Sequence, residues 1–188
     1  MIPPATIPAS YKGLLKLYQD QPKELRDYFE HFPKLMTASL PYEIAIAYLF
    51  SRVERAHRRA LYCGITKKYS ANSDLVDDVV RREFVSRDSF KRMFATVFGK
   101  EMPKNIAKLI EDAEFVRDKG IHGKDPDDKE MRKAMHDIFK YADEFNNFVS
   151  GLESFRPFGD LRGFKGRGEN LDKETTRWIL KGLGFSIQ

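Results

Sequence analysis

Apolar residues in this chain return every three or four positions, and that periodicity decides what it can fold into. The clearest run lies between Pro126 and Ser150. There Met131, Ala134, Met135, Ile138, Ala142, Phe145 and Val149 share one stripe, close to a heptad pattern. A helix turns about 100° per residue, so this spacing gathers them on one face. A half-buried strand needs apolar and polar residues to alternate, and alternating β-branched segments bounded by turn residues are missing.

The same test predicts three more helices of the core. Residues 41–62 carry Ala45, Leu49, Val53, Ala56 and Ala60 inward, with Pro41 in the first turn and Gly64 as the stop. Ser86 reads as the N-cap of a helix that buries Phe90, Met93, Phe94 and Val97 and ends at Gly99 and Pro103. Lys104 to Arg117 places Ile106, Leu109, Ile110, Ala113 and Val116 together. Ser73 is expected to cap a helix through Phe84, with Asp77 and Asp78 in or near its first turn. The first forty residues predict short helices, Ser10 to Gln19 and Lys23 to Phe32. Pro22 sits at a start, and Pro33 acts as a breaker.

Four long amphipathic helices joined by short links bury their stripes most simply as an up-and-down bundle. The expected fold is therefore all-α. It comprises an N-terminal helical extension (1–40), a four- to five-helix bundle (41–155) and a glycine-rich tail (156–188), in one globular unit overall. The tail holds six of the chain's twelve glycines. A short helix from Leu171 to Leu183 follows the first four of them, with Trp178, Ile179 and Leu183 as its apolar anchors.

With 188 residues, 41% hydrophobic, the chain has the material for one domain and a real core. No apolar run approaches the roughly 18 residues that span a bilayer. The opening Met1-Ile2-Pro3-Pro4 has no basic region leading into an apolar stretch, so no signal peptide is expected. The lone Cys63 points to a reducing, cytoplasmic setting and excludes thiolate metal clusters within one chain. No His, Asp and Glu set stands at metal-ligand spacing, no phosphate-cradling glycine motif opens a helix, and no nucleophile elbow occurs. Metal hydrolases, P-loop enzymes and serine hydrolases are set aside, and neither a metal nor a cofactor is expected.

The net charge of +5 is unevenly spread. Residues 50–100 carry a basic surplus of six and residues 156–188 a surplus of three, while residues 101–155 have an acidic excess of four. Such a distribution fits a polyanion partner and equally fits solvated helix faces.

The segment with the most chemical content is Phe115-Val116-Arg117-Asp118-Lys119-Gly120-Ile121-His122-Gly123. On an unbroken helix Arg117 and His122 would point about 140° apart. They converge if the helix ends between them, which Gly120 and Gly123 permit. By spacing alone, Arg117 is a cation at a helix C-terminus and His122 a loop histidine. With the glycines and the order of helices added, the pair becomes a candidate site.

An Arg, a polar residue and a His placed just before the last long helix resemble the R-x4-6-H motif of HEPN domains. Arg117, Asp118 and His122 match that motif in order, type and position, and the helices from Pro41 to Ser150 are similar to a HEPN core. The first forty residues and the tail lie outside the resemblance. It implies a metal-independent endoribonuclease that uses the 2′-hydroxyl of RNA as nucleophile. Arg117 would hold the phosphate, His122 would move protons, and Asp118 would orient one of them. It also implies a homodimer that brings two motifs into one cleft, and a setting as toxin or antiphage defence factor with an antitoxin or regulatory protein as partner. Some HEPN toxins carry a tyrosine two residues after the histidine, where this chain has Lys124. Regulation through that tyrosine is not expected. Asp125, Asp127, Asp128 and Glu130 would repel phosphate but suit a helix N-terminus. The alternative is a non-catalytic HEPN-like module that binds protein, nucleotide or RNA.

Two basic clusters are further candidates for contact with RNA. Arg55, Arg58 and Arg59, beside Arg52 and His57, lie off the buried stripe of the first long helix. Arg162, Lys165 and Arg167 alternate with glycines around Phe164, whose ring could stack on a base. Each is equally readable as an ordinary solvated surface. His31 and His136 look isolated in the sequence.

Overall fold

The computed structural model describes residues 7–83, 86–121, 123–124, 126–161 and 170–187. These are helical, and no strand occurs among them. The helices are α1 (Tyr11–Gln19), α2 (Lys23–Tyr28), α3 (Phe32–Thr37), α4 (Tyr42–Tyr69), α5 (Ser73–Arg82), α6 (Arg87–Phe98), α7 (Lys104–Ile121), α8 (Asp128–Glu153) and α9 (Lys173–Gly182). No helix among the described residues is long and apolar enough to cross a membrane. The chain divides into two units. The first is Met1–Val53 with Lys104–Phe145, and the second is Glu54–Pro103 with Asn146–Gln188. α4 and α8 each contribute to both.

In the first unit, aromatic residues from the short helices pack on α8. The Phe139 ring meets Phe32 at 5.0 Å, Phe29 at 5.2 Å and Tyr18 at 6.2 Å between centroids, each edge to face. That geometry sets the positive rim of one ring against the negative face of another. Ala45, Leu49 and Val53 of α4 and Ile106, Ile110 and Ala113 of α7 are buried as their periodicity requires. Pro33 does not end a helix. It sits in the first turn of α3, where the missing N–H would have had no partner. The expected helix from Lys23 to Phe32 is accordingly two helices, with a break after Tyr28.

Several ends fall elsewhere than the sequence predicts. α7 continues past Arg117 and through Gly120 to Ile121. Its terminus is a Schellman arrangement. The Lys124 N–H donates to Lys119 O at 2.9 Å, the Gly123 N–H donates to Gly120 O at 3.3 Å, and Gly123 takes the left-handed conformation at φ 70°. α8 begins in a capping box. The Glu130 N–H donates to Asp127 Oδ1 at 2.7 Å, and the Asp127 N–H donates to Glu130 Oε2 at 3.2 Å. The acidic run after the motif therefore caps a helix, and Glu130 also accepts from Lys119 Nζ at 2.6 Å. α8 then runs through Gly151 to Glu153.

In the second unit, α6 supplies the aromatic centre. Phe94 stacks on Phe98 at 4.3 Å, and Phe90 and Phe148 tilt against Phe94 at 5.8 and 6.0 Å. Asn72, one residue before the predicted cap, accepts from the Leu75 N–H and starts α5. The predicted end at Phe84 lies outside the described residues. Asp77 and Asp78 sit mid-helix and pair with Arg81 and Arg82 four residues on, while Asp74 is the first-turn acid. The Asn72 N–H donates to Thr176 Oγ1 at 3.0 Å and the Leu171 N–H to Ser70 O at 2.7 Å, which ties α9 to the α4–α5 junction. Thr176 and Leu180 are the buried residues of α9, and Leu183 at its C-cap is buried as expected, with Phe185 beyond it. Trp178, expected inside, is 71% exposed.

Gly64 was expected to end α4, yet the helix continues to Tyr69. A Cβ at Gly64 would lie 2.6 Å from Phe98 Cζ and 2.9 Å from Val97 Cγ1. The glycine serves close packing and not termination. Alanine is the better helix former by about 1 kcal/mol, but forcing a methyl against a confined ring costs about 1–3 kcal/mol. Phe98 is confined by Phe94 and Phe155. Gly64→Ala is therefore expected to lower stability by about 1 kcal/mol, read as a reduced urea midpoint. A raised midpoint would show that Phe98 can yield.

Candidate functional site

The long helix α7 carries Arg117 in the first unit. Its guanidinium is held on one edge: Nε and Nη2 donate to Asp118 Oδ1 at 3.1 and 3.0 Å. Glu114 Oε1 lies 3.9 Å from Nη2, and the Phe50 ring lies under Cζ at 4.4 Å. A planar cation over an aromatic face with an acid on its edge has little rotational freedom left. The side chain is nonetheless 28% exposed. It lines a cavity of about 380 Å³ with Val116 and Gly120 of α7, Glu43, Ile46 and Ala47 of α4, Pro126 and Met131. The walls are mainly apolar, with Arg117 and Glu43 as the charged groups.

Of the sequence-predicted set, Arg117 and Asp118 are thus hydrogen-bonded to each other. His122 lies outside the described residues, as do Asp125 and the tail cluster Arg162, Lys165 and Arg167.

Arg55, Arg58 and Arg59 come together in the second unit. With Tyr62 they form an i, i+3, i+4, i+7 row on α4, facing Asp77, Val80 and Arg81 of α5 across a cavity of about 360 Å³. Two of the four arginines are engaged. Arg81 pairs with Asp77 at 2.5 Å, and Arg59 Nη2 donates to Gly159 O at 2.6 Å. Arg58 Nε is buried and has no hydrogen-bond partner among the described residues. Burial, with Cys63, Asp77 and Asp74 adding to it, pushes the Tyr62 phenol above its ordinary range, so the hydroxyl stays a donor. Cys63 is buried and its thiol is pushed up to about 12, which leaves it unreactive near neutrality.

The sequence reading missed one polar cluster. His136 is not isolated. Its Nδ1 lies 3.1 Å from Asp137 Oδ1, both side chains are buried in the first unit, and Lys133 bonds the other carboxylate oxygen. Burial pushes the Asp137 carboxyl up, but the hydrogen bonds from His136 and Lys133 outweigh it and hold the group below its usual value. Adjacent positions on a helix do not face each other, so periodicity gave no hint of this pair. Among the described residues no group of three or more His, Cys, Asp or Glu side chains is arranged to hold a metal.

Comparison with known protein families, with characterised proteins and with solved structures finds no match.

His57 lies flat on Phe90, with centroids 3.7 Å apart and planes 8° from parallel. Burial depresses its pKa to about 3, so the ring packs as a neutral group. The unfolded chain binds this proton near pH 6.5 and the folded chain only near pH 3. Stability contributed by the neutral ring is therefore complete above about pH 6.5 and declines as pH falls toward 3. Urea midpoints measured from pH 7 to pH 5 should fall in the native protein and fall less steeply in His57→Gln. Equal slopes would remove His57 as the titrating group.

Proposed function

We propose that this chain is a HEPN-type, metal-independent endoribonuclease, acting as a homodimer. The observation that carries the reading is the fixed guanidinium of Arg117. It lies on the wall of an open cavity near the end of α7, five residues ahead of His122. Asp118 grips Nε and one hydrogen of Nη2. Among the described residues Nη1 has no hydrogen-bond partner, so the outer edge of the fork can take phosphate oxygens.

The reaction this reading assigns needs no protein nucleophile. The 2′-oxygen of RNA forms a bond to phosphorus while the bond from phosphorus to the 5′-oxygen breaks. His122 accepts the 2′ proton, and a second acid protonates the departing 5′-oxygen. The products are a 2′,3′-cyclic phosphate and a 5′-hydroxyl. Arg117 offsets charge on the phosphorane, and Asp118 positions Arg117. A second copy supplies the second histidine. A toxin or defence factor, controlled by an antitoxin or regulatory partner, is the setting this chemistry suits.

A second reading, a non-catalytic HEPN-like binding module, is favoured by the carboxylates around Arg117. Asp118 and Glu114 already answer its charge, as they would for an arginine with a purely structural task.

Labelled RNA and matched DNA incubated in excess chelator separate the two. The native protein should cleave RNA and leave DNA intact, and Arg117→Ala and His122→Ala should each lose about 100-fold or more. Mixing the two inactive variants should restore part of the activity if one site is built from two copies. Native protein as inert as the variants on varied RNAs would favour the binding module. Cleavage that survives both changes would exclude Arg117 and His122 as its source.

A further inference from the structure

The cavity between α4 and α5 has a charge problem that the described residues do not solve. Four guanidinium groups and a single carboxylate line it. Asp77 is taken by Arg81, and Arg59 is bound to a backbone oxygen. Arg55 and Arg58 have no acid partner among the described residues. Like charges this close repel, and the cost grows as water is excluded. Arg58 also keeps its Nε buried without a hydrogen bond. A buried donor left unmade is costly, and such groups are usually satisfied by a ligand, an ion or water.

We propose that this cavity binds a phosphate monoester carried on a single nucleotide-sized unit. Three considerations fix the ligand class. The excess of positive groups suits a dianion better than a carboxylate. Guanidinium forks match phosphate oxygens in pairs. At about 360 Å³ the cavity is at the small end of ligand sites, with room for one nucleotide and none for a duplex. Tyr62 lines the cavity with an aromatic ring, beside which a base can be accommodated next to the phosphate. A free nucleotide and the phosphorylated 5′ end of an RNA strand present this same chemistry. The site is formed within the second unit and does not depend on Arg117 or on ribonuclease activity.

Calorimetric titration of the full chain at physiological salt tests the assignment. The probes are inorganic phosphate, AMP, adenosine, and one short oligoribonucleotide with either a 5′-phosphate or a 5′-hydroxyl. The expected result is binding of AMP or of the 5′-phosphorylated strand, at least 10-fold tighter than adenosine or the 5′-hydroxyl strand. Arg58→Gln should abolish that preference and Arg58→Lys should keep part of it, while RNA cleavage assayed with the same Arg58→Gln protein reports separately on the ribonuclease reading. Circular dichroism and the thermal midpoint report whether each variant folds, and Arg55→Gln serves if Arg58→Gln does not. Equal binding of AMP and the phosphorylated strand identifies free nucleotide as sufficient, and binding of the strand alone identifies an RNA end. Equal affinity for the two strands, no phosphate-dependent binding, or a preference that survives Arg58→Gln would each overturn the proposal. Loss of the phosphate preference with RNA cleavage retained, or the reverse, makes failure here distinguishable from failure of the ribonuclease reading.

Discussion

The second unit depends on the approach of Val97 and Phe98 to the backbone of α4 at Gly64. With no side chain there, the end of α6 can lie directly on α4, and α4 can run on to Tyr69. The extra turn then pays for itself in hydrogen bonds. Lys68 Nζ donates to Phe98 O at 2.9 Å and Tyr69 Oη to Val97 O at 3.0 Å, so side chains of α4 satisfy carbonyls at the end of α6. The helix end also brings Ser70 O to the Leu171 N–H and Asn72 to Thr176, which fixes α9. A glycine that costs about 1 kcal/mol in an isolated helix is here the condition for a chain of contacts between three helices.

Arginines in this protein fall into two states, and the distinction carries more functional content than their number. Arg52 sits over Tyr28 with its Cζ 4.3 Å from the ring centroid and also donates to Tyr28 O. Arg132 donates to Pro8 O at 3.0 Å and lies 3.7 Å from Asp128. Arg59 and Arg117 are likewise held. Each of these fills a donor site left by the fold, and truncating one would cost packing as well as charge. Arg55 and Arg58 make no such bond among the described residues. Arg52 Nε is also buried and unpartnered, so an orphan atom by itself does not mark a ligand site. What separates Arg58 is that, among the described residues, the rest of its guanidinium has no hydrogen-bond partner either, while three other guanidinium groups stand around the same cavity.

Helical periodicity revealed most of the helices and the buried stripes of α4, α6, α7 and α8, because burial of one face is a property of the sequence itself. It misjudged ends. Gly64 was expected to end α4 and instead lies inside it, because what packs beside that glycine is Phe98 and Val97, whereas α7 does end between Arg117 and His122, with Gly123 as its left-handed cap. Pro33 was read as a stop, although a proline in a first turn breaks nothing. Trp178 was expected as an apolar anchor of α9, whereas Thr176, Leu180 and Leu183 are the residues it buries and Trp178 is exposed. The arginine row on α4 was visible as residues off the stripe, but the facing α5 was not, so the cavity could not be foreseen. The clasp of Asp118 on Arg117 joins adjacent helix positions, a contact that periodicity does not reveal. The capping of α8 by Asp127 and Glu130 follows from the D-x-x-E spacing.

The electrostatics around Arg117 set a condition on the ribonuclease reading. Asp118 and Glu114 are within 4 Å of its guanidinium, and Glu43 lines the same cavity. An approaching phosphate therefore meets one cation and three carboxylates. At the effective dielectric of a partly open site, each charge pair a few ångströms apart is worth a few kcal/mol, so the local sum is not attractive. Arg117 can orient a phosphate but cannot gather one. The attraction has to come from cations outside this cavity, because a second copy would bring its own Asp118, Glu114 and Glu43 along with its Arg117. On the ribonuclease reading a second copy would answer the need for two proton carriers and not the charge. A monomeric chain with this arrangement would be a poor nuclease even with His122 in position.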